Sequence, residues 1–207
     1  MSVTDVTPVT RPARRGDRDD LNRVLTAAFV DDPVLSWLVP DRAEREPLLP
    51  LVFDAFADAF ARHDQTHVTA PGDALTGVAL WAPPGVAPVH PDDQATFGGR
   101  LAELAAPHLE RFGLCGEIFE AAHPAPPAWY LQFLGVDPAH QGHGYGSALL
   151  RTVLDAADRA GEAAYLEATS DRNRALYERH GFACIGDLPF PEGPTAYAMW
   201  REPGPVR

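Results

Sequence analysis

The stretch WYLQFLGVDPAHQGHGYGSALLRTVLDAADRA, Trp129 to Ala160, constrains the fold of this chain more than any other. Trp129 to Val136 is apolar and aromatic with one polar interruption, which predicts a buried strand. Asp137-Pro138 stops it, because proline cannot donate to a ladder and restricts the residue before it. Gly142, Gly144 and Gly146 then alternate with Gln141, His143 and Tyr145. Tyr145, Leu149, Val153 and Ala157 recur every four residues, so a helix starts inside the glycine run and Gly161 stands where its terminal glycine belongs. Such a junction is an anion site. The glycines let backbone approach a ligand closely, and the first helical turn adds unpaired N–H groups and a positive dipole end. A diphosphate fits there without a lysine.

A dinucleotide fingerprint needs G-x-G-x-x-G in an N-terminal βαβ unit, and this chain has neither the spacing nor the position. Gln141-Gly142-His143-Gly144-Tyr145-Gly146 instead resembles motif A of the GNAT superfamily of N-acetyltransferases, Q/R-x-x-G-x-G/A. The resemblance implies an α/β (α+β) fold, one GNAT-type domain over residues 1–207, with a mixed central sheet flanked by helices on both faces. It implies acetyl-coenzyme A as acyl donor, its pyrophosphate held by the turn Gln141, Gly142, His143, Gly144, Tyr145, Gly146 and Ser147. The strand segment Leu134, Gly135 and Val136 is then expected to pair with the pantetheine arm, and the N–H of Leu134 or Val136 to polarise the thioester carbonyl. His143 stands where lysine or arginine is common in the family, a departure of little weight because backbone groups bind the phosphates.

EATSDRNRALYERHGF, Glu167 to Phe182, resembles the second half of the family's signature. That likeness makes Asn173 a contact of coenzyme A or nearby backbone. It makes Tyr177, four residues on and so on the same helix face, the acid that protonates the departing thiolate. Glu167, an isolated carboxylate in an apolar strand, is either the base that deprotonates the acceptor amine or a carboxylate held by backbone or by Arg172 or Arg174. Residues 124–202 further resemble the puromycin N-acetyltransferases, actinomycete resistance enzymes that acetylate an aminoacyl nucleoside. Residues 83–123 align with nothing by eye and are expected to shape the acceptor site; Glu117, Glu120 and His123 are either members of it or charges on a solvated face.

The acceptor expected is a small-molecule amine. Seventeen basic residues against 29 acidic ones give a net charge of −12, which disfavours nucleic acid and anionic membranes and suits a cation. The resemblance places the region of the first two helices in one wall of the acceptor pocket and so makes Asp31, Asp32 and Trp37 candidate acceptor contacts, set against a capping role for the two acids and a core role for Trp37. Trp129 and Tyr130 either stack on the acceptor or pack in the core. Protein N-termini or lysines, and a non-catalytic acyl-coenzyme A-binding module, are the alternatives. Cys115 and Cys184 sit in no redox or metal spacing, and the start MSVTDVTPVTRPARRGD lacks an apolar core, so a cytoplasmic monomer or homodimer is expected. No metal is expected, because the strand pattern after Thr66 separates His63 from His67.

The remaining chain reads as an edge strand around Val6 to Arg11, a helix carrying Leu21, Val24, Leu25 and Ala28, and a short helix with Val34, Trp37 and Leu38. A helix from Arg42 to His63 and a hairpin turning at Pro71-Gly72-Asp73 follow. A helical stretch from Asp92 to Ala122 is expected to break at Pro107 and near Phe112-Gly113. Strands at Ala163 to Ala168, Phe182 to Leu188 and Thr195 to Arg201 complete the prediction, and the tail Glu202 to Arg207 is expected to fray.

Overall fold

The computed structural model describes residues 9–72 and 74–205. Its seven strands are β1 (Thr10–Pro12), β2 (Thr66–Thr69), β3 (Gly77–Ala82), β4 (Ala128–Val136), β5 (Ala163–Ala168), β6 (Ala183–Pro189) and β7 (Thr195–Arg201). They form one sheet in the order β1-β2-β3-β4-β5-β7-β6, antiparallel except where β4 lies parallel to β5. Seven helices surround it: α1 (Arg18–Phe29), α2 (Pro33–Leu38), α3 (Arg42–Phe60), α4 (Gln94–Leu104), α5 (Leu109–Ala122), α6 (Tyr145–Ala160) and α7 (Asp171–Glu178). This is the mixed sheet with helices on both faces that the sequence predicts.

Alternation along the strands sorts the core. Val78, Leu80, Tyr130 and Tyr165 pack with α1 and α3 through Val24, Leu25, Phe53 and Phe60. Ala79, Trp81, Leu131, Leu166 and Met199 face the other way, onto Leu149, Leu150, Val153 and Leu154 of α6 and Tyr177 of α7. A smaller cluster joins Val34 and Leu38 of α2 to Cys115 of α5 and Phe190 after β6. The alternation changes sense on β6 between Cys184 and Gly186, and again where β3 meets β4. Leu80 and Trp81 of β3 are consecutive, yet they face Phe133 and Leu131 of β4, so Gln132 is the extra residue of a bulge. Tyr130, Phe133 and Gly135 therefore share the α1 side, where an added Cβ on Gly135 would lie 3.0 Å from Leu25 and 3.2 Å from Ala28.

Several boundaries differ from the sequence reading. Residues 6–8 of the expected first strand, and Asp73 of the hairpin turn, lie outside the described residues; the described strand is Thr10–Pro12. The break at Pro107 is present as a turn of 3₁₀ helix, Ala106–His108, but α5 runs unbroken through Gly113, since an exposed glycine costs a helix only about 1 kcal/mol. The tail does not fray before Gly204, whose N–H donates to Asp158 Oδ1 at 2.6 Å. His63 and His67 have separate surroundings: His63 Nε2 meets the Pro88 carbonyl at 2.9 Å, and His67 is buried on β2. No described helix is long and apolar enough to cross a membrane.

Candidate active site

The ladder between β4 and β5 ends at the pair Leu131 and Leu166. Beyond it β4 continues to Val136 against β3 alone, and β5 continues to Ala168 against β7 alone, so the sheet splits. Asp137 N–H donates to the Thr76 carbonyl at 2.9 Å, which fixes the phase of the antiparallel pairing. Gly135 and Phe133 turn their backbone groups to β3, and Leu134 and Val136 present theirs to the open edge. Gln141 Nε2 donates to the Val136 carbonyl at 3.1 Å on that edge, while its Oε1 accepts from Arg172 of α7 at 2.9 Å.

At the end of β4, Asp137 accepts from Ala139 N–H at 3.0 Å and starts the 3₁₀ turn Pro138–His140. Gly142 and Gly144 follow at φ of +81° and +83°, the left-handed region that favours glycine. An added Cβ at either would meet nothing within 4 Å, so the space above the turn is open. No side chain caps α6, whose first-turn N–H groups stay available as donors. Side chains near the turn are otherwise engaged. His143 Nδ1 folds back to the Gln141 carbonyl at 2.9 Å, Tyr145 packs edge-on to His140 with centroids 6.2 Å apart, and Ser147 Oγ meets His180 Nε2 at 2.9 Å. Gly146 is closely surrounded by Leu134, Val136 and Leu176, where α6, α7 and β4 meet.

Across the split, Ser170 Oγ accepts from Asn173 N–H at 3.2 Å and starts α7. Tyr177 is buried against Phe182, centroids 5.9 Å apart, and its hydroxyl has no hydrogen-bond partner among the described residues. Burial, with the nearby charge of Asp32, pushes its pKa above the ordinary tyrosine value. Asn173 Nδ2 lies 3.5 Å from Thr169 Oγ1, and that hydroxyl donates to Asp32. Asp32 is buried and caps α2, accepting from Val34 N–H at 2.9 Å and Leu35 N–H at 3.1 Å. Burial raises its pKa and these hydrogen bonds hold part of the shift back.

Glu167 stands on β5 where the split opens. Its Oε2 accepts from the Tyr130 hydroxyl at 2.9 Å. Its Oε1 is buried and has no hydrogen-bond partner among the described residues. Loss of water pushes the Glu167 pKa up to about 7, against the opposing effect of the Tyr130 hydrogen bond. His123, at the end of α5, packs edge-on to Tyr130 and Tyr165 at 5.0 and 5.1 Å, and burial lowers its pKa. The Tyr165 hydroxyl donates to the Ala122 carbonyl at 3.2 Å. Cys115 of α5 is buried nearby, its thiol pushed up to about 12 by burial and by the charges of Glu167 and Asp32, and so it is no nucleophile at neutral pH. A carboxylate of near-neutral pKa, a buried phenol and an open strand edge above a nest of N–H groups are the parts an acyl transfer to an amine needs.

The model of the acetyltransferase (GNAT) family matches residues 42–182. The chain belongs to the GNAT family. It is 36% identical to the N-alpha-acetyltransferase RimI of Mycobacterium tuberculosis, over 49% of this chain and 72% of that one. It is 38% identical to an uncharacterized N-acetyltransferase of Schizosaccharomyces pombe, over 82% of this chain and 73% of that one. A crystal structure from Corynebacterium glutamicum, described as histone acetyltransferase HPA2 and related acetyltransferase, superposes with a TM-score of 0.74 at 29% identity, covering 96% of this chain and 98% of that one. This GNAT domain is therefore an acyltransferase, and GNAT acetyltransferases use acetyl-coenzyme A.

For Trp37 and Trp129 the structure shows the core role that is one of the two expected, and Asp31 and Gly135 face away from the split. Trp129 and Tyr130 are neighbours on β4 and so point to opposite faces. Tyr130 reaches Glu167, whereas Trp129 lies on the α6 side with its indole N–H on Glu162 at 2.7 Å. Asp31 is exposed and paired with Arg42; its neighbour Asp32 is the one turned inward. Trp37 is pinned, Nε1 donating to the Pro191 carbonyl at 2.9 Å with Phe190 and the Arg111 guanidinium 4.9 and 5.2 Å from its ring. Gly135 turns towards α1 rather than to the open edge. Tyr165 and Cys115 were not anticipated; Tyr165 is two residues from Glu167 on one strand, and that spacing alone places both on one face.

Proposed function

We propose that this GNAT domain transfers an acetyl group from acetyl-coenzyme A to the primary amine of a small, cationic molecule. The observation that carries the proposal is Glu167, a carboxylate with one buried unpartnered oxygen beside the split between β4 and β5. An uncompensated buried acceptor is costly, and an incoming ammonium satisfies it. The open turn at Gly142 and Gly144, with the uncapped first turn of α6, suits a pyrophosphate. When bound, acetyl-coenzyme A supplies the activated acetyl thioester.

Each step then has a residue. Leu134 and Val136 offer backbone N–H groups at the open edge, to orient the donor and polarise the carbonyl. Glu167 accepts the ammonium proton at Oε1, leaving a neutral nitrogen to form the new C–N bond. Tyr177 gives its proton to the sulfur as the C–S bond breaks, and the second proton shed by the nitrogen as it becomes the amide restores the phenol. Asn173, linked to Asp32 through Thr169, steadies the N-terminal end of α7 around that phenol.

A small acceptor is favoured over a polypeptide because the side of the split formed by α2, α5 and residues 190–194 is knitted shut through Trp37. Residues 83–128 supply His123 to the surroundings of Glu167, in keeping with a segment that shapes the acceptor. Puromycin, suggested by residues 124–202, is the first acceptor to try, and the likeness to RimI brings peptide N-termini into the same screen. A thiol-release assay with acetyl-coenzyme A against a panel of amines is expected to give its highest kcat/KM with an aromatic or hydrophobic primary amine. Faster turnover of free N-terminal or lysine peptides than of every small amine overturns the proposal.

The donor site has its own test. Gly144→Asp puts a side chain at φ +83° and a negative charge into the turn. Coenzyme A affinity, read by calorimetry, is expected to fall at least about tenfold, or roughly 1.4 kcal/mol. Unchanged affinity in the folded variant removes the turn from the donor site.

A further inference from the structure

A cavity of about 540 Å³ lies between the C-terminal half of α6, the end of α7 and the end of β7. Its charged lining is Arg151, Arg159, Arg179, Arg201, Asp155 and Asp158. Several arginines elsewhere are taken up by carboxylates, as in Arg11 with Asp17, Arg62 with Asp93 and Arg100 with Asp58, and others by oxygen acceptors, as in Arg45 with the Val30 carbonyl and Arg172 with Gln141. In the cavity only Arg201 is paired with a carboxylate, held bidentately by Asp158 at 2.7 and 2.8 Å. Its Nε also donates to the His180 carbonyl at 2.9 Å, and Gly204 N–H donates to the same aspartate. That floor is fully bonded and largely buried.

Above it the charges are unbalanced. Arg151 and Arg159 make no ion pair or hydrogen bond among the described residues, and Arg179 donates only to the Ala175 carbonyl of its own helix. Asp155 is four residues from both Arg151 and Arg159 on α6, yet it pairs with neither. Three guanidiniums thus face one unpaired carboxylate around a fixed floor. The half-buried ring of His180 feels the result: burial first, then the positive charges of Arg151, Arg179 and Arg201, lower its pKa. Like charges gathered in a concave site cost energy unless an anion joins them.

We infer that this cavity is a second anion site, for a phosphorylated small molecule, separate from the glycine turn. Guanidinium forks match phosphate geometry, and the volume is that of a metabolite-sized pocket rather than a single-ion site. Arg151 and Arg159 stand six and fourteen residues beyond Tyr145, or about 9 and 21 Å along α6 at about 1.5 Å per residue. The backbone N–H groups of the turn therefore serve one anion and the arginines another. His180 links the two, because its ring lines the cavity and holds Ser147 Oγ in the first turn of α6.

Calorimetry with inorganic pyrophosphate, on protein saturated with coenzyme A, tests this directly. Saturable binding is expected, weakened at least about tenfold in the double variant Arg151→Gln/Arg159→Gln and unchanged in Arg15→Gln, with thermal melting confirming that each variant folds. No saturable binding, or equal binding in the double variant, overturns the inference. A separate arm identifies the source of the phosphate. If pyrophosphate binds with 3′-dephospho-coenzyme A present but is displaced by coenzyme A, the cavity belongs to the donor's own 3′-phosphate and the second site does not exist.

Discussion

Glu167→Gln is expected to lower kcat/KM by about 10²- to 10⁴-fold above pH 7 while making the protein more stable there. Both effects come from the same buried oxygen. With its pKa raised to about 7 from an ordinary value of 4.5, Glu167 keeps its proton in the native state at pH values where the unfolded chain has lost it. Between those values the native state binds more protons, so stability falls as pH rises, and the whole cost stands above pH 7. The shift corresponds to up to about 3 kcal/mol. Glutamine carries no charge, still accepts from the Tyr130 hydroxyl, and escapes the cost. Urea denaturation at pH 8 and at pH 4 separates the cases: a gain for the variant at pH 8 that disappears at pH 4. The wild-type rate should climb with pH through about 7, and the variant's should not. A variant as active as wild type assigns Glu167 to structure alone.

Tyr177→Phe is expected to lower kcat by about 10²–10⁴-fold, with coenzyme A affinity within about twofold of wild type. The ring keeps its packing on Phe182, and the hydroxyl lost has no partner among the described residues, so stability is expected to hold or rise slightly. Because burial and Asp32 raise the Tyr177 pKa, the phenol stays protonated across the accessible range. The pH profile therefore reports Glu167 without a falling limb from Tyr177. Equal turnover in the phenylalanine variant returns Tyr177 to a packing role.

What the sequence made legible was local. The glycine turn, the helix from Tyr145 to Gly161 and the four-residue spacing of Asn173 and Tyr177 follow from φ requirements and helical period, and the structure has all three. Which of the two adjacent acids turns inward, and how Trp37 is pinned, was less legible. Asp32 precedes Pro33 at the first position of α2, the signature of a cap, and that signal distinguishes it from the exposed Asp31. Trp129 and Tyr130 took different roles because two adjacent strand residues point to opposite faces. Nothing in the order of residues 83–128 reveals that Cys115 approaches Glu167, since that depends on which face of α5 meets a distant strand. The family was readable from two motifs; the acceptor depends on the segment that those motifs do not cover.

One inserted residue accounts for the opening. Without Gln132, residues 133–136 would rotate half a turn about the strand axis. Gly135 would leave the close contact with Leu25 and Ala28, and the backbone groups of Leu134 and Val136 would be spent on β3. The reactive cleft is thus a phase slip in the middle of the sheet. Substitutions can retune which amine it admits, but a single-codon deletion erases the cleft while leaving every motif intact.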